Sequence, residues 1–103
     1  MDKIAALTEI LTADPTNAFA RYGLAMEHNT QANTDQALTE FATLIHHQPD
    51  YVPAYQMSAQ TLAKLGRTDE AIARLKEGLA AAQRTNNAHA ASEMQALLDD
   101  LRI

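Results

Sequence analysis

The sequence has no cysteine and no tryptophan, only three glycines and three prolines, and 5% aromatic residues in 103. Without cysteine there is no disulfide, no thiolate metal site and no cysteine nucleophile. Three scattered glycines, Gly23, Gly66 and Gly78, leave no glycine-rich phosphate loop. Ser58 and Ser92 stand in no Gly-x-Ser-x-Gly elbow. Basic residues are also few. Residues 1–51 hold two basic and seven acidic side chains, whereas residues 52–103 hold six of each, which gives the net charge of −5. Phosphate binding needs clustered lysine and arginine, so this balance argues against nucleic acid. The absence of a polybasic run argues against an anionic membrane surface, and no apolar run approaches a membrane span. Residues 1–4 lack the basic and apolar regions of a signal peptide, so a cytoplasmic protein is expected.

What remains is 47% hydrophobic residues, much of it alanine, with no period-two run of β-branched or aromatic residues. Such a chain is expected to be all-α and closely packed, as a single domain. The spacing predicts six helices. The first, over 2–13, puts Ile4, Leu7, Ile10 and Leu11 on one face and stops before Pro15. The second starts after Thr16 or Asn17 and runs to about residue 30. Phe19, Tyr22 and Met26 share one face, with Ala20, Leu24, Ala25 and His28 on the other. In its closing turn Asn33 is the candidate for a left-handed residue. Thr34 is expected to cap the third helix, whose apolar face is Leu38, Phe41, Leu44 and Ile45. Asp50 is expected to cap the fourth, which tolerates Pro53 in its first turn and ends at a left-handed Gly66. Thr68 is expected to cap the fifth, which carries Ile72, Leu75 and Leu79 and reaches Arg84. The sixth covers 88–101, with Met94, Leu97, Leu98 and Leu101 apolar.

A shift of 34 residues organises these helices. It lays Pro15 on Pro49, Ala20 on Ala54, Ala25 on Ala59 and Phe41 on Leu75, and 34–38 on 68–72. Applied backwards, it lays the first helix on the third. The sixth helix follows poorly: Ala88 matches Ala54, but Glu93 falls where Ala25 and Ala59 stand. The segments are thus 1–14, a first repeat at 15–49, a second at 50–84 and a closing helix at 86–103.

A 34-residue helix-turn-helix unit with small residues at fixed places resembles the tetratricopeptide repeat. Leu24, Ala25, Ala37, Phe41 and Pro49 carry the pattern in the first repeat, and Tyr55, Ala59, Gly66, Ala71 and Leu75 in the second. The chain resembles short, free-standing bacterial members of that family with two repeats between capping helices. Arg21 and His28 stand where the family has large aromatics, Ser58 where Leu24 does, and Gln83 in place of the closing proline. The resemblance implies an α-α superhelix, an array of antiparallel helix hairpins that binds proteins without catalysis and without a cofactor. The first helix of each repeat lines the concave face in this family. That transfers the peptide-binding role to Phe19, Tyr22, Met26 and Asn29, and to Gln56, Met57, Gln60 and Lys64. The Phe19–Tyr22–Met26 row reads equally well as core or as groove. The basic clamp with which some members grip acidic chaperone tails is largely missing, with Phe19, Tyr22, Pro53 and Gln56 at its places. The alternative to peptide binding is self-association as a homodimer, or a place as a small accessory subunit in a larger complex.

His46 and His47 diverge by about 100° on a helix and cannot chelate as an i, i+4 pair would, so no metal is expected. His28 and His89 are lone and expected to be partly packed, and Asp99 and Asp100 read as a solvated helix end. If Ala59 lets two helices approach closely, Ala59→Leu will cost about 1 to 3 kcal/mol by overpacking. A thermal melt showing no loss would place the repeat register elsewhere.

Overall fold

The computed structural model describes residues 2–103, so Met1, counted in the first expected segment, lies outside the described residues. These residues form six α-helices and no strand: α1 (Lys3–Ala13), α2 (Ala18–Thr30), α3 (Thr34–His47), α4 (Val52–Lys64), α5 (Thr68–Arg84) and α6 (Ala88–Leu101). The chain divides after Gln48 into two compact units.

In the first unit α2 packs against both α1 and α3. Leu11, Ala20 and Leu24 are buried together, with Ile4 and Leu7 against them. Gly23 faces Leu7, and a Cβ there would make ordinary van der Waals contact with its methyls at 3.4 and 3.5 Å. On the α3 side Ala25, Ala37, Phe41 and Leu44 are buried. The alanines permit the approach and Phe41 fills the space beside them. Burying a ring of that size contributes about 2 to 3 kcal/mol.

In the second unit α4 packs against α5, and α6 packs against both. Ala59 and Ala71 repeat the part of Ala25 and Ala37, and Leu75 that of Phe41, all buried. Gly78 takes the economy further. A Cβ there would meet Met94 Sδ at 2.6 Å and Tyr55 Cβ at 2.7 Å, so α4, α5 and α6 converge where no side chain fits.

Backbone angles reproduce the 34-residue repeat. The C-caps of α1 and α3, Asp14 (φ −141°, ψ 80°) and Gln48 (φ −136°, ψ 81°), share one non-helical conformation, as a following proline excludes the helical one. The turns after α2 and α4 also match. In each, the residue two past the helix is left-handed, Ala32 at φ 62° and Gly66 at φ 76°. Asn33 N–H donates to the His28 carbonyl (2.8 Å) and Arg67 N–H to that of Leu62 (3.0 Å). With a second bond in each turn, Ala32 N–H to the Asn29 carbonyl (3.1 Å) and Gly66 N–H to that of Ala63 (3.0 Å), this double closure satisfies carbonyls that the helix end leaves over.

Four expectations are corrected here. The left-handed residue after α2 is Ala32, not Asn33, because the closure fixes it one place earlier. Thr34 and Thr68 are first helical residues rather than caps. The residue after the left-handed one starts the next helix whatever its side chain, so Asn33 and Arg67 occupy the cap positions and make no side-chain cap bond. Tyr51 rather than Asp50 precedes α4. The Asp50 carboxylate instead accepts from Arg84 Nε at 2.9 Å. Of the two candidates ahead of α2, Asn17 is the cap, its side chain accepting from Ala20 N–H at 2.9 Å.

The sixth helix obeys a shift of 36, not 34. Ala54, Ser58 and Leu62 are buried on α4, and Ala90, Met94 and Leu98 on α6, whereas Ala88 is exposed. The cause lies in α5. With glutamine at 83 instead of proline, it continues to 17 residues where α3 has 14. It then closes with the same pair of backbone hydrogen bonds as α2 and α4, around a left-handed Asn86 (φ 55°), Asn86 N–H donating to the Gln83 carbonyl at 3.2 Å and Asn87 N–H to that of Ala82 at 2.8 Å. The extra turn places Arg84 where its Nη2 also donates to the Pro49 carbonyl at 3.1 Å. Asp50 beside it raises the guanidinium further above its usual value.

Left-handed backbone costs an alanine about 1 to 2 kcal/mol and a glycine nothing. Ala32→Gly should therefore stabilise the protein by about 1 kcal/mol. Gly66→Ala, with nothing within 4 Å of the added methyl, should destabilise it by a similar amount. Urea unfolding of both variants checks the pair of opposite signs.

Candidate functional site

The residues named from the sequence fall on two helices, each considered within its own unit. On α2, Ala20, Leu24 and Ala25 are buried, and the opposite side of the helix carries Phe19, Tyr22, Met26 and Asn29. Phe19 is 83% exposed, the most open aromatic side chain among the described residues. Tyr22 is half-buried and meets Phe41 edge to face, ring centroids 6.1 Å apart. Met26 and Asn29 are also half-buried. Tyr22 thus leans on the core, and Phe19 stands clear of it at the helix start. Asn17 holds that start through its cap, so the ring is presented by rigid backbone.

On α4, Gln56, Met57 and Gln60 are half-buried and Lys64 is exposed. Gln56 and Gln60 are the 34-residue equivalents of Tyr22 and Met26. The equivalent of Phe19 is Pro53, exposed and not counted among the site residues from sequence. Its first-turn position explained it as a helix signal and drew attention from its surface. Met57 stands at the place of Gly23, on the side of the helix rather than in the row. The two rows therefore differ in chemistry, aromatic and thioether on α2, proline and amides on α4.

The departures from the repeat pattern have a structural account. Arg21 Nη2 donates to the Pro15 carbonyl at 2.9 Å, and Tyr55 Oη donates to the Pro49 carbonyl at 2.6 Å. The same carbonyl is thus satisfied by guanidinium in one repeat and phenol in the other. Arg21 also pairs with Glu40, the two side chains being 16% and 19% exposed. In the second repeat the position of Glu40 is Arg74, whose Nη1 lies 3.4 Å from Ser58 Oγ, and the buried Ser58 hydroxyl donates to the Tyr55 carbonyl at 3.1 Å. His28 is half-buried, its Nδ1 3.4 Å from Asn33 Nδ2, in a shallow hollow with Asp35, Gln36, Thr39 and Glu40.

Catalytic and metal candidates do not converge. His46 and His47 are exposed, with ring centroids 5.5 Å apart. His89, expected to be partly packed, is instead exposed, because α6 buries its Ala90–Met94–Leu98 side, and its Nε2 meets Glu93 Oε1 at 2.9 Å on the surface. Among the described residues no three His, Asp or Glu side chains could hold a metal ion, and no helix is long and apolar enough to cross a membrane.

A family model for the tetratricopeptide repeat matches residues 29–98. The chain belongs to the tetratricopeptide repeat family. A tetratricopeptide repeat domain protein of Salinibacter ruber, solved in solution, is 34% identical with a TM-score of 0.80, over 85% of this chain and 89% of that one. A crystal structure of a tetratricopeptide repeat domain protein from the same organism gives 32% identity and a TM-score of 0.78, over 84% and 97%. The TPR2B domain of yeast Sti1, solved in complex with pHsp70, is 20% identical with a TM-score of 0.88, over 96% and 79%, a likeness of fold. No curated protein sequence matches the chain. Tetratricopeptide repeats are an all-α, typically non-catalytic fold that binds protein partners.

The Arg21–Glu40 pair is shielded enough that losing one partner strands the other. Arg21→Met should cost about 1 to 3 kcal/mol. In a double-mutant cycle with Glu40→Met the coupling should exceed the ~0.5 kcal/mol of an exposed pair. Chemical denaturation of the four proteins measures it.

Proposed function

We propose that this tetratricopeptide protein is a non-catalytic module that binds a peptide or protein segment along the first helix of each repeat. The repeats are 15–49 and 50–84 of one domain, flanked by α1 and α6. The contacts are Phe19, Tyr22, Met26 and Asn29 on α2, and Gln56, Met57, Gln60 and Lys64 on α4. One observation carries the reading: Phe19, the first residue of the row, is 83% exposed, with the half-buried Tyr22 and Met26 behind it. An aromatic held open on a capped helix costs solubility and contributes nothing to folding, which fits a contact residue. Met26 adds a side chain that adapts to its partner. The yeast Sti1 domain, bound to pHsp70, is an example of a protein complex formed by this fold. An acidic chaperone tail does not fit here, since the clamp residues are absent and the net charge is −5.

Self-association through α1 is the second reading, and it too rests on an observation. Ile10 is 45% exposed, while Leu44, its equivalent on α3, is 1% exposed. The face of α1 that corresponds to a buried face of α3 is thus partly open.

Affinity capture from an extract of the source organism, with the partner identified by mass spectrometry, separates the two. Tyr22→Ala/Met26→Ala should weaken capture at least about tenfold, or about 1.4 kcal/mol, with helicity unchanged by circular dichroism. Undiminished capture by that variant would remove the α2 row from the site. A stable dimer in light scattering, lost on Ile10→Glu, would support the second reading instead.

A further inference from the structure

The α2 row sits in a strongly one-signed unit. Ahead of Pro49 the carboxylates are Asp2, Glu9, Asp14, Glu27, Asp35 and Glu40, against the two cations Lys3 and Arg21. Arg21 is turned inward, holding Glu40 and the Pro15 carbonyl, so it puts no positive charge beside the row. Asp14 lies just before α2 and is exposed, and Glu27 follows Met26 directly. Along the chain the row thus lies between Asp14 and the half-buried Glu27, whose side chain leaves the helix about 100° around from Met26.

We propose that the α2 face takes a cationic segment of a partner protein, one that lays a large apolar side chain against Phe19 and Met26 while its lysines or arginines meet the carboxylates of this unit. This rests on the peptide-binding reading above and adds to it the chemistry of the partner. Charge decides between the occupants. An anionic segment would meet the like charge of a unit with six carboxylates against two cations. A second copy of this chain also fits poorly. Its whole charge is −5, and residues 49–103 offer six cations against seven carboxylates. Complementary charge raises association rates and excludes like-charged partners. Phe19 supplies the apolar contact, which is insensitive to salt, so the two contributions separate experimentally.

The test uses the full chain and three short synthetic peptides, identical in one central phenylalanine and flanked by lysine, glutamine or glutamate. Binding is read by fluorescence anisotropy and by amide chemical-shift changes. The lysine peptide should bind at least about tenfold tighter than the glutamate peptide at low salt, with the gap closing at high salt. Phe19→Ala, at an exposed position that leaves folding intact, should weaken the lysine peptide about tenfold or more. Asp14→Asn/Glu27→Gln should narrow the lysine-over-glutamate preference about three- to tenfold. If the lysine and glutamine peptides bind equally and both depend on Phe19, the charge selection is wrong and the peptide-binding reading stands. Tighter binding of the glutamate peptide overturns the selection likewise. Lysine-peptide binding that ignores Phe19 is adsorption to an acidic surface and overturns the proposal. If no peptide moves any α2 resonance, both readings fall.

Discussion

Close approach of helices at residues without bulk is the constraint on which everything else depends. Ala25 and Ala37 in one repeat, Ala59 and Ala71 in the next, are fully buried. Each stands where a larger side chain would force two helices apart. Phe41 and Leu75 then fill the gaps that the alanines leave. At Gly78 even a methyl is excluded, by Met94 and Tyr55 together. A protein with 5% aromatic residues has few large groups with which to make a core. It compensates by bringing backbones near, so that modest side chains still reach native packing density. The same economy leaves Phe19 conspicuous, as a large apolar group spent on the surface.

Two kinds of helix ending connect the close-packed helices, and they alternate for a physical reason. Within a repeat the helix folds back on itself through a left-handed residue and two backbone hydrogen bonds, at Ala32 and Gly66. After α1 and α3 the chain leaves through a non-helical residue, at Asp14 and Gln48, because the next proline excludes the helical conformation there. Where Gln83 replaces that proline, the fold-back ending appears instead, around Asn86. The helix before it lengthens, and α6 is displaced by two residues from the repeat. A single missing proline thus changes the register of the last helix and draws Arg84 onto Pro49 and Asp50.

Polar substitutions inside the pattern are repaired locally rather than tolerated. Arg21 loses an aromatic contact but keeps the hydrogen bond that Tyr55 makes to its proline carbonyl, and it gains Glu40. Ser58 replaces a leucine, yet its hydroxyl is satisfied by Tyr55 and Arg74. No buried side-chain polar atom among the described residues lacks a partner. These repairs also turn Arg21 inward and leave the α2 surface without a cation of its own.

Much was legible in the residues themselves. Helix spans, the proline stops, left-handed Gly66 and the buried alanines each follow from one side chain's local preference, repeated at a fixed interval. The row Phe19–Tyr22–Met26 was legible as a row for the same reason. Other features were not, because they arise from closure between segments. Ala32 has no left-handed preference, but the turn's two hydrogen bonds require one at that place. Asn33, Arg67 and Tyr51 take cap positions from Thr34, Thr68 and Asp50 because the length of the turn, not the side chain, sets the start of the next helix. The sequence by itself determined which residues are small enough for helices to meet and where helices must stop. Only the tertiary structure decided which face of α2 the core consumes, since periodicity fixes a stripe but not the neighbours that cover it. Packing of α1 and α3 covered the alanine side and left Phe19 in water.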